Sequence, residues 1–174
     1  MANQDFEKQF LQWYDEYGDA LYRYCYFKVH DKEKAKDLVQ EVFTRTWQYL
    51  GRGYQIENGR AFLYRVALHC IIRAAQRPTH LSLEKLEEEQ GFAIPSGEDE
   101  ASLSQDMDAK RMIGLLGKLL EEKDREVIIL RYMNDLSPRD IAQITGESEN
   151  VISVRLHRAL KRFRKLLADH YEQV

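Results

Sequence analysis

The sequence predicts an all-α protein: two small helical bundles joined by a flexible acidic linker. Apolar residues recur at steps of three and four over most of the chain, and no alternating strand pattern interrupts them. Prolines number only three in 174 residues. The third observation is the distribution of charge. The chain carries 26 basic and 29 acidic side chains, a formal charge of -3. Residues 78–107 hold eight of the acids and a single Lys, whereas 1–77 has 12 basic against 10 acidic and 108–174 has 13 against 11. An acidic block therefore separates two mildly basic halves. A hydrophobic fraction of 44% is ample for a core, and 32% charged residues suits a soluble chain.

The first bundle, residues 1–77, reads as three helices. Over 3–29, Phe6, Phe10, Trp13, Tyr14, Tyr17, Leu21 and Cys25 form an amphipathic stripe. Asp31 is placed to cap a second helix, whose inward stripe is Ala35, Leu38, Val39, Val42, Phe43, Trp47 and Leu50, with Gly51 as its stop. After the turn "GRGYQIENG" a third helix runs to Pro78, with Phe62, Leu63, Val66, Ala67, Cys70 and Ala74 inward. Residues 78–106 lose the periodicity and gain Pro, Gly, Ser and acid, the composition of a linker.

The second bundle, 107–174, opens with one helix through Met112, Ile113, Leu116, Leu119 and Leu120 and another through Val127, Ile128, Leu130 and Met133. The next stretch, "LSPRDIAQITGESENVISVRLHRALKRFRKLL", carries the most information. Ser137 as N-cap, Pro138 at N1 and Asp140 at N3 make a capping box. Gly146 ends that helix, and Ser148 caps the next. Ala142 allows close approach, Gly146 a sharp turn, and Ile152 packs back, which is the spacing of a helix-turn-helix.

With Ile152, Leu156, Ala159, Phe163 and Leu166 inward, Asn150, Ser153, Val154 and His157 point outward near the start of the last helix, beside Ser148. That is where a recognition helix meets base edges. Arg155, Arg158, Lys161, Arg162, Arg164 and Lys165 surround and follow them, suited to phosphates. Basic residues near a helix C-terminus also satisfy the macrodipole, so the capped turn before the strip matters more than the charge itself. Arg65, His69, Arg73 and Arg77 form a second basic ridge at i, i+4 spacing on the third helix. Contact with nucleic acid relieves their repulsion; a solvated basic face is the competing reading.

Other chemistries find little support. Cys25 and Cys70 lie on apolar faces without a C-x-x-C, so buried thiols in a reducing cytosol are expected rather than a zinc site. The five histidines are scattered, and no nucleophile–base pair or phosphate loop is legible. Neither enzymatic activity, cofactor, metal nor small-molecule substrate is expected. No apolar run approaches the roughly 18 residues of a membrane span, and "MANQDFEKQF" lacks the features of a signal peptide. A cytoplasmic protein without direct membrane insertion is the expectation.

Two basic surfaces on two helical units suggest one duplex contacted at two places, and here the sequence resembles a known family over nearly its whole length. "DKEKAKDLVQEVFTRTWQYL", "RAFLYRVALHCIIRAAQR" and "REVIILRYMNDLSPRDIAQITGESENVISVRLHRALKRFRKLL" resemble, in order, region 2.2, regions 2.3–2.4 and region 4 of the extracytoplasmic-function (group IV) sigma factors of the sigma-70 family. The resemblance implies an alternative sigma factor that binds core RNA polymerase and directs promoter recognition and initiation in response to a stress or envelope signal. Region 2 (1–77) would bind polymerase and the -10 element, and region 4 (107–174) the -35 element.

Site residues follow from the resemblance and the residue patterns together. For the -35 element they are Ser148, Asn150, Ser153, Val154, Arg155, His157, Arg158, Lys161 and Arg162. For the -10 element they are Tyr54, Glu57, Asn58, Tyr64, Arg65, His69, Arg73 and Arg77. The turn holding Tyr54, Glu57 and Asn58 corresponds to the family's base-capturing loop, with an ordinary connecting loop as the competing reading. Asp37, Gln40, Glu41, Phe43 and Trp47 lie on or beside the family's polymerase-binding face, with a core role as the alternative for Phe43 and Trp47. The implied partners are the clamp helices of the largest polymerase subunit, the flap of the second, promoter DNA, and an anti-sigma factor able to sequester the chain at the inner membrane. His69, Arg73, Leu68, Ser153 and Glu121 depart from the family's usual residues, four of them at positions that bear on which promoter is read. A free-standing helix-turn-helix regulator, dimeric through 137–165, is the alternative.

Overall fold

The computed structural model describes residues 2–76, 114, 116 and 119–172. The expected linker 78–106, the ridge residue Arg77 and most of the helix expected around Met112 lie outside the described residues. Those described form helices without a strand among them: α1 (Ala2–Val29), α2 (Lys32–Gly51), α3 (Gly59–Gln76), α4 (Glu122–Ile128) continuing into a π-helical turn (Ile129–Met133), α5 (Pro138–Thr145) and α6 (Glu149–Glu172).

The reversal from α1 to α2 takes two residues. His30 adopts a left-handed φ of 53° while its N–H donates to the Tyr26 carbonyl at 2.8 Å. Asp31 is extended and accepts from the N–H groups of Glu33 and Lys34 at 3.0 and 3.1 Å, the cap expected from sequence. The end of α2 differs from expectation. Gly51 is still helical, and Gly53, at φ 84°, supplies the left-handed turn. Asn58 opens α3 by accepting from the Ala61 N–H at 3.0 Å. Behind it, Gly59 lies so close to the Trp13 indole that a Cβ would fall 2.3 Å from two ring atoms.

The stripes are largely as read, with instructive exceptions. Tyr24 and Tyr64, absent from the expected core, are fully buried and meet edge to face at 5.2 Å. Thr46 is buried because its hydroxyl donates to the Val42 carbonyl at 2.8 Å. Tyr14, Trp47 and Ala74, expected inward, are exposed. In the second half, Val127, Ile128, Ile129 and Leu130 are buried in succession, a run the widened π turn accommodates, whereas Met133 is only half-buried.

The two halves do not stand apart. One apolar cluster runs from Trp13, Leu21 and Leu63 in the first to Leu130, Leu136 and Ile141 in the second. At roughly 1.5–3 kcal/mol for each fully buried large side chain, that shared core outweighs any surface ion pair. Helix α5 packs on α3, and α4 and α5 both pack on α6.

Candidate nucleic-acid interface

The turn between α5 and α6 is built as its residues dictate. The Ser137 hydroxyl accepts from the Asp140 N–H at 3.1 Å, and the Ser137 N–H donates to the Asp140 carboxylate at 3.0 Å. Gly146 closes α5 at φ 74°, its N–H donating to the Ala142 carbonyl at 2.9 Å. Ser148 then receives the N–H groups of Ile152 on its carbonyl and of Val151 on its hydroxyl. Ile152, Leu156, Ala159 and Phe163 are buried, so Asn150, Ser153, Val154, His157 and Arg158 face solvent as a row. Lys161 and Arg162 continue it, and Arg162 meets Glu121 at 3.3 Å across an exposed gap. Arg155 differs from its neighbours: it is half-buried and forms a bidentate pair with Glu147. It braces the turn and is not free for phosphate in this arrangement.

On α3, Arg65, His69 and Arg73 are exposed one turn apart, as their spacing requires. Tyr64 is not among them. It is fully buried, its hydroxyl donates to Asn134 Oδ1 at 2.8 Å, and burial pushes its pKa up to about 12. No nucleic acid reaches it in this arrangement. In the preceding loop, Tyr54 is exposed and stacked on Tyr49 with ring centres 4.6 Å apart, and Phe62 tilts against Tyr49 at 5.0 Å. Tyr49 and Phe62 border a recess shared with Gln55, Glu57, Asn58, Arg65 and Gln143. Stacking faces beside a guanidinium are what an unstacked base requires. Tyr49 and Phe62 were missed as candidates from sequence, although two aromatics flanking the loop (Tyr49 before it, Phe62 after it) were a readable signal.

Across the bundle, α1 and α2 enclose an apolar groove lined by Phe10, Tyr14, Val39, Gln40, Phe43 and Trp47. Phe43 is its buried floor, while Trp47, 40% exposed, sits edge-on to Phe6 and Phe10, each at 5.0 Å. Asp37 and Gln40 are exposed, and Glu41 accepts from Arg45 at 2.5 Å.

Residues 13–79 match the family Sigma-70 region 2, and residues 113–163 match Sigma-70, region 4. The RNA polymerase sigma-E factor of Streptomyces coelicolor is 32% identical over 86% of this chain and 80% of its own length. The chain belongs to the sigma-70 family, among its extracytoplasmic-function sigma factors. Sigma factor YlaC of Bacillus subtilis is 27% identical over 92% of both chains. The factor BldN of Streptomyces coelicolor is 29% identical, and the chain spans 59% of its length. Two solved structures share the fold: CnrH, determined with the cytosolic domain of CnrY (TM-score 0.67, 23% identity, 94% of this chain and 90% of that one), and the sigma factor RpoE of Bartonella quintana, determined with the anti-sigma factor NepR (TM-score 0.61, 24% identity, 95% and 98%).

The sigma factor thus presents three surfaces from two family regions: the α6 row, the α3 ridge with its loop, and the α1–α2 groove. Among the described residues no three of His, Cys, Asp and Glu come together as a metal site, and no helix is long and apolar enough to cross a membrane. Cys25 and Cys70 are free and buried, and burial raises both thiols, Cys25 to about 12.

Proposed function

We propose that this sigma factor reads the -35 element with α6 and the -10 element with α3 and its preceding loop, while the α1–α2 groove docks on core RNA polymerase. The exposed row Asn150, Ser153 and Val154, set behind a fully capped turn on a basic helix, carries the reading. Base-edge contacts need side chains held rigidly at a helix start, and phosphate contacts need the flanking charges Arg158, Lys161 and Arg162. Arg65, His69 and Arg73 grip the backbone near the -10 element as the duplex opens, and the Tyr49–Tyr54 stack receives an extruded base. A groove that exposes Tyr14 and Trp47 above the buried Phe43 is the kind of apolar surface that partner proteins cover. Clamp helices of polymerase and an anti-sigma factor would compete for it, which keeps the chain inactive until a signal removes the latter. The test is run-off transcription with purified core polymerase on a library of genomic promoters. Promoter-specific transcripts that depend on this chain are expected. Specific operator binding by the chain alone, with no transcript on adding core enzyme, overturns the proposal in favour of a free-standing regulator.

A further inference from the structure

The start of α6 carries two apolar side chains in the middle of a polar, basic surface. Val151 and Val154 are 44% and 41% exposed, and both lie outside the buried stripe of Ile152, Leu156, Ala159 and Phe163. We propose, on the strength of the -35 reading of α6, that these two valines read the 5-methyl groups of two thymines in the major groove. They thereby choose part of the -35 sequence.

Neither helix preference nor packing accounts for them. Val is a weaker helix former than Ala, Lys or Glu at an exposed site, and the buried stripe already supplies the core contacts of α6. Their placement is nonetheless firm. The Val151 N–H donates to the Ser148 hydroxyl at 3.3 Å and the Ile152 N–H to the Ser148 carbonyl at 3.0 Å, which ties down the first turn. A β-branched side chain on a helix also keeps one strongly preferred χ1 rotamer.

The valines border a recess with Asn150, Arg158 and, from α4, Asp124. Arg155 and Arg162 also line it, but Glu147 takes the first in a bidentate pair and Glu121 meets the second at 3.3 Å. Three guanidiniums thus stand beside three carboxylates, so the recess is no simple cradle for phosphate. What it offers a duplex is a polar rim around an apolar pair. In the major groove the bases present donors and acceptors, and their one apolar group is the thymine methyl. A valine set against any other base edge strips water from it and returns no hydrogen bond. Against a methyl, both partners bury apolar surface. Side chains at i and i+3 lie about 5–6 Å apart, and base pairs rise by about 3.4 Å. The two thymines are therefore one or two steps apart, on either strand.

The test uses holoenzyme formed from the full chain and core polymerase, with a pool of random-sequence duplexes. Bound duplexes should be enriched at the -35 end in two thymines at that spacing. The double variant Val151→Ala, Val154→Ala should relax those two positions and leave the other enriched positions unchanged. Ala is the better helix former, so α6 persists, and the salt slope of binding should match that of the natural chain. Deoxyuridine in place of either thymine removes only the methyl. It should weaken the natural holoenzyme about fourfold, the worth of one buried methyl group, and leave the double variant unaffected. Deoxyuridine that costs both holoenzymes alike, or neither, overturns the methyl reading. So does a double variant that enriches the same sequences as the natural chain, or one that loses selectivity at every position together. With the natural chain, no enrichment at the -35 end would remove the α6 reading itself and the valine contacts with it.

Discussion

The α5–α6 turn and the start of α3 are both helix N-termini next to a proposed DNA surface, yet they are stabilised in opposite ways. The first is closed by near neighbours: Ser137 with Asp140, Gly146 with Ala142, and Ser148 with Val151 and Ile152. The second depends on the far end of the chain. Asn58 caps α3 locally but turns its amide to Asp140, 82 residues away, and Tyr64 and Arg60 hold Asn134 from 70 and 74 residues away. Local closure gives a rigid surface that is always presented. Closure by a distant partner makes the start of α3 depend on the packing of the two halves.

The largest effect expected is at Gly59. A methyl group there collides with the buried Trp13 ring, so Gly59→Ala should cost about 3 kcal/mol by overpacking. The loss should appear in denaturant unfolding of α1–α3 and in the proposed -10 contacts, while α6 still binds duplex DNA. Equal damage to both surfaces would show that the second half does not hold its own turn without the first.

Next are the two basic surfaces. Arg158→Ala should weaken all duplexes alike, by about 1 kcal/mol, and lower the salt slope by roughly one. Arg73→Ala should lose about tenfold in transcription from closed duplex promoters, the order of one lost charge-assisted contact, and less from templates carrying a pre-melted bubble. Equal loss on both templates would assign Arg73 to plain binding. No loss on either would return α3 to a solvated face.

Ser137→Ala removes a cap and half of the box, for about 1 kcal/mol. Thermal melts should show this loss, and duplex binding by α6 should weaken with it. The smallest effect concerns acid. Burial works to raise Asp140, but hydrogen bonds from the Ser137 hydroxyl and N–H and from Asn58, with Arg60 nearby, hold it below the usual 3.8. Its folded form thus favours ionisation. The stabilisation is full above about pH 3.8 and is lost as pH falls through the lower folded value. Unfolding followed across that window should be shallower for Asp140→Asn than for the natural chain.

Much of this was legible before any coordinates. Asp31, Ser137, Asp140, Gly146 and Ser148 act within a few residues of themselves, so cap and turn chemistry could be read directly. The α6 row followed from a period of 3.6 once Ile152 and Leu156 were inward. The failures share a cause. The sequence places Tyr64 among the DNA contacts and Tyr14 and Trp47 in inward stripes, because periodicity gives a face without saying what covers it. Tyr24 and Tyr64 are buried with their hydroxyls bonded to Glu126 and Asn134 of the second half. Arg155, read as a phosphate contact, is taken by Glu147 at a separation of eight residues, outside the i, i+4 rule.

The sequence by itself determined the helices, their caps, the turn that presents α6, the charge layout and, through three ordered motifs, the family. These are properties of short stretches, set by dihedral preference, hydrogen-bond satisfaction and period. Only the tertiary structure decided that the halves share one core and that Asn58 and Tyr64 point into that contact while the α6 row stays open. Pairings such as Glu126 with Lys28, nearly a hundred residues apart, leave no periodic trace, because either side chain alone has the pattern of an ordinary charged surface residue.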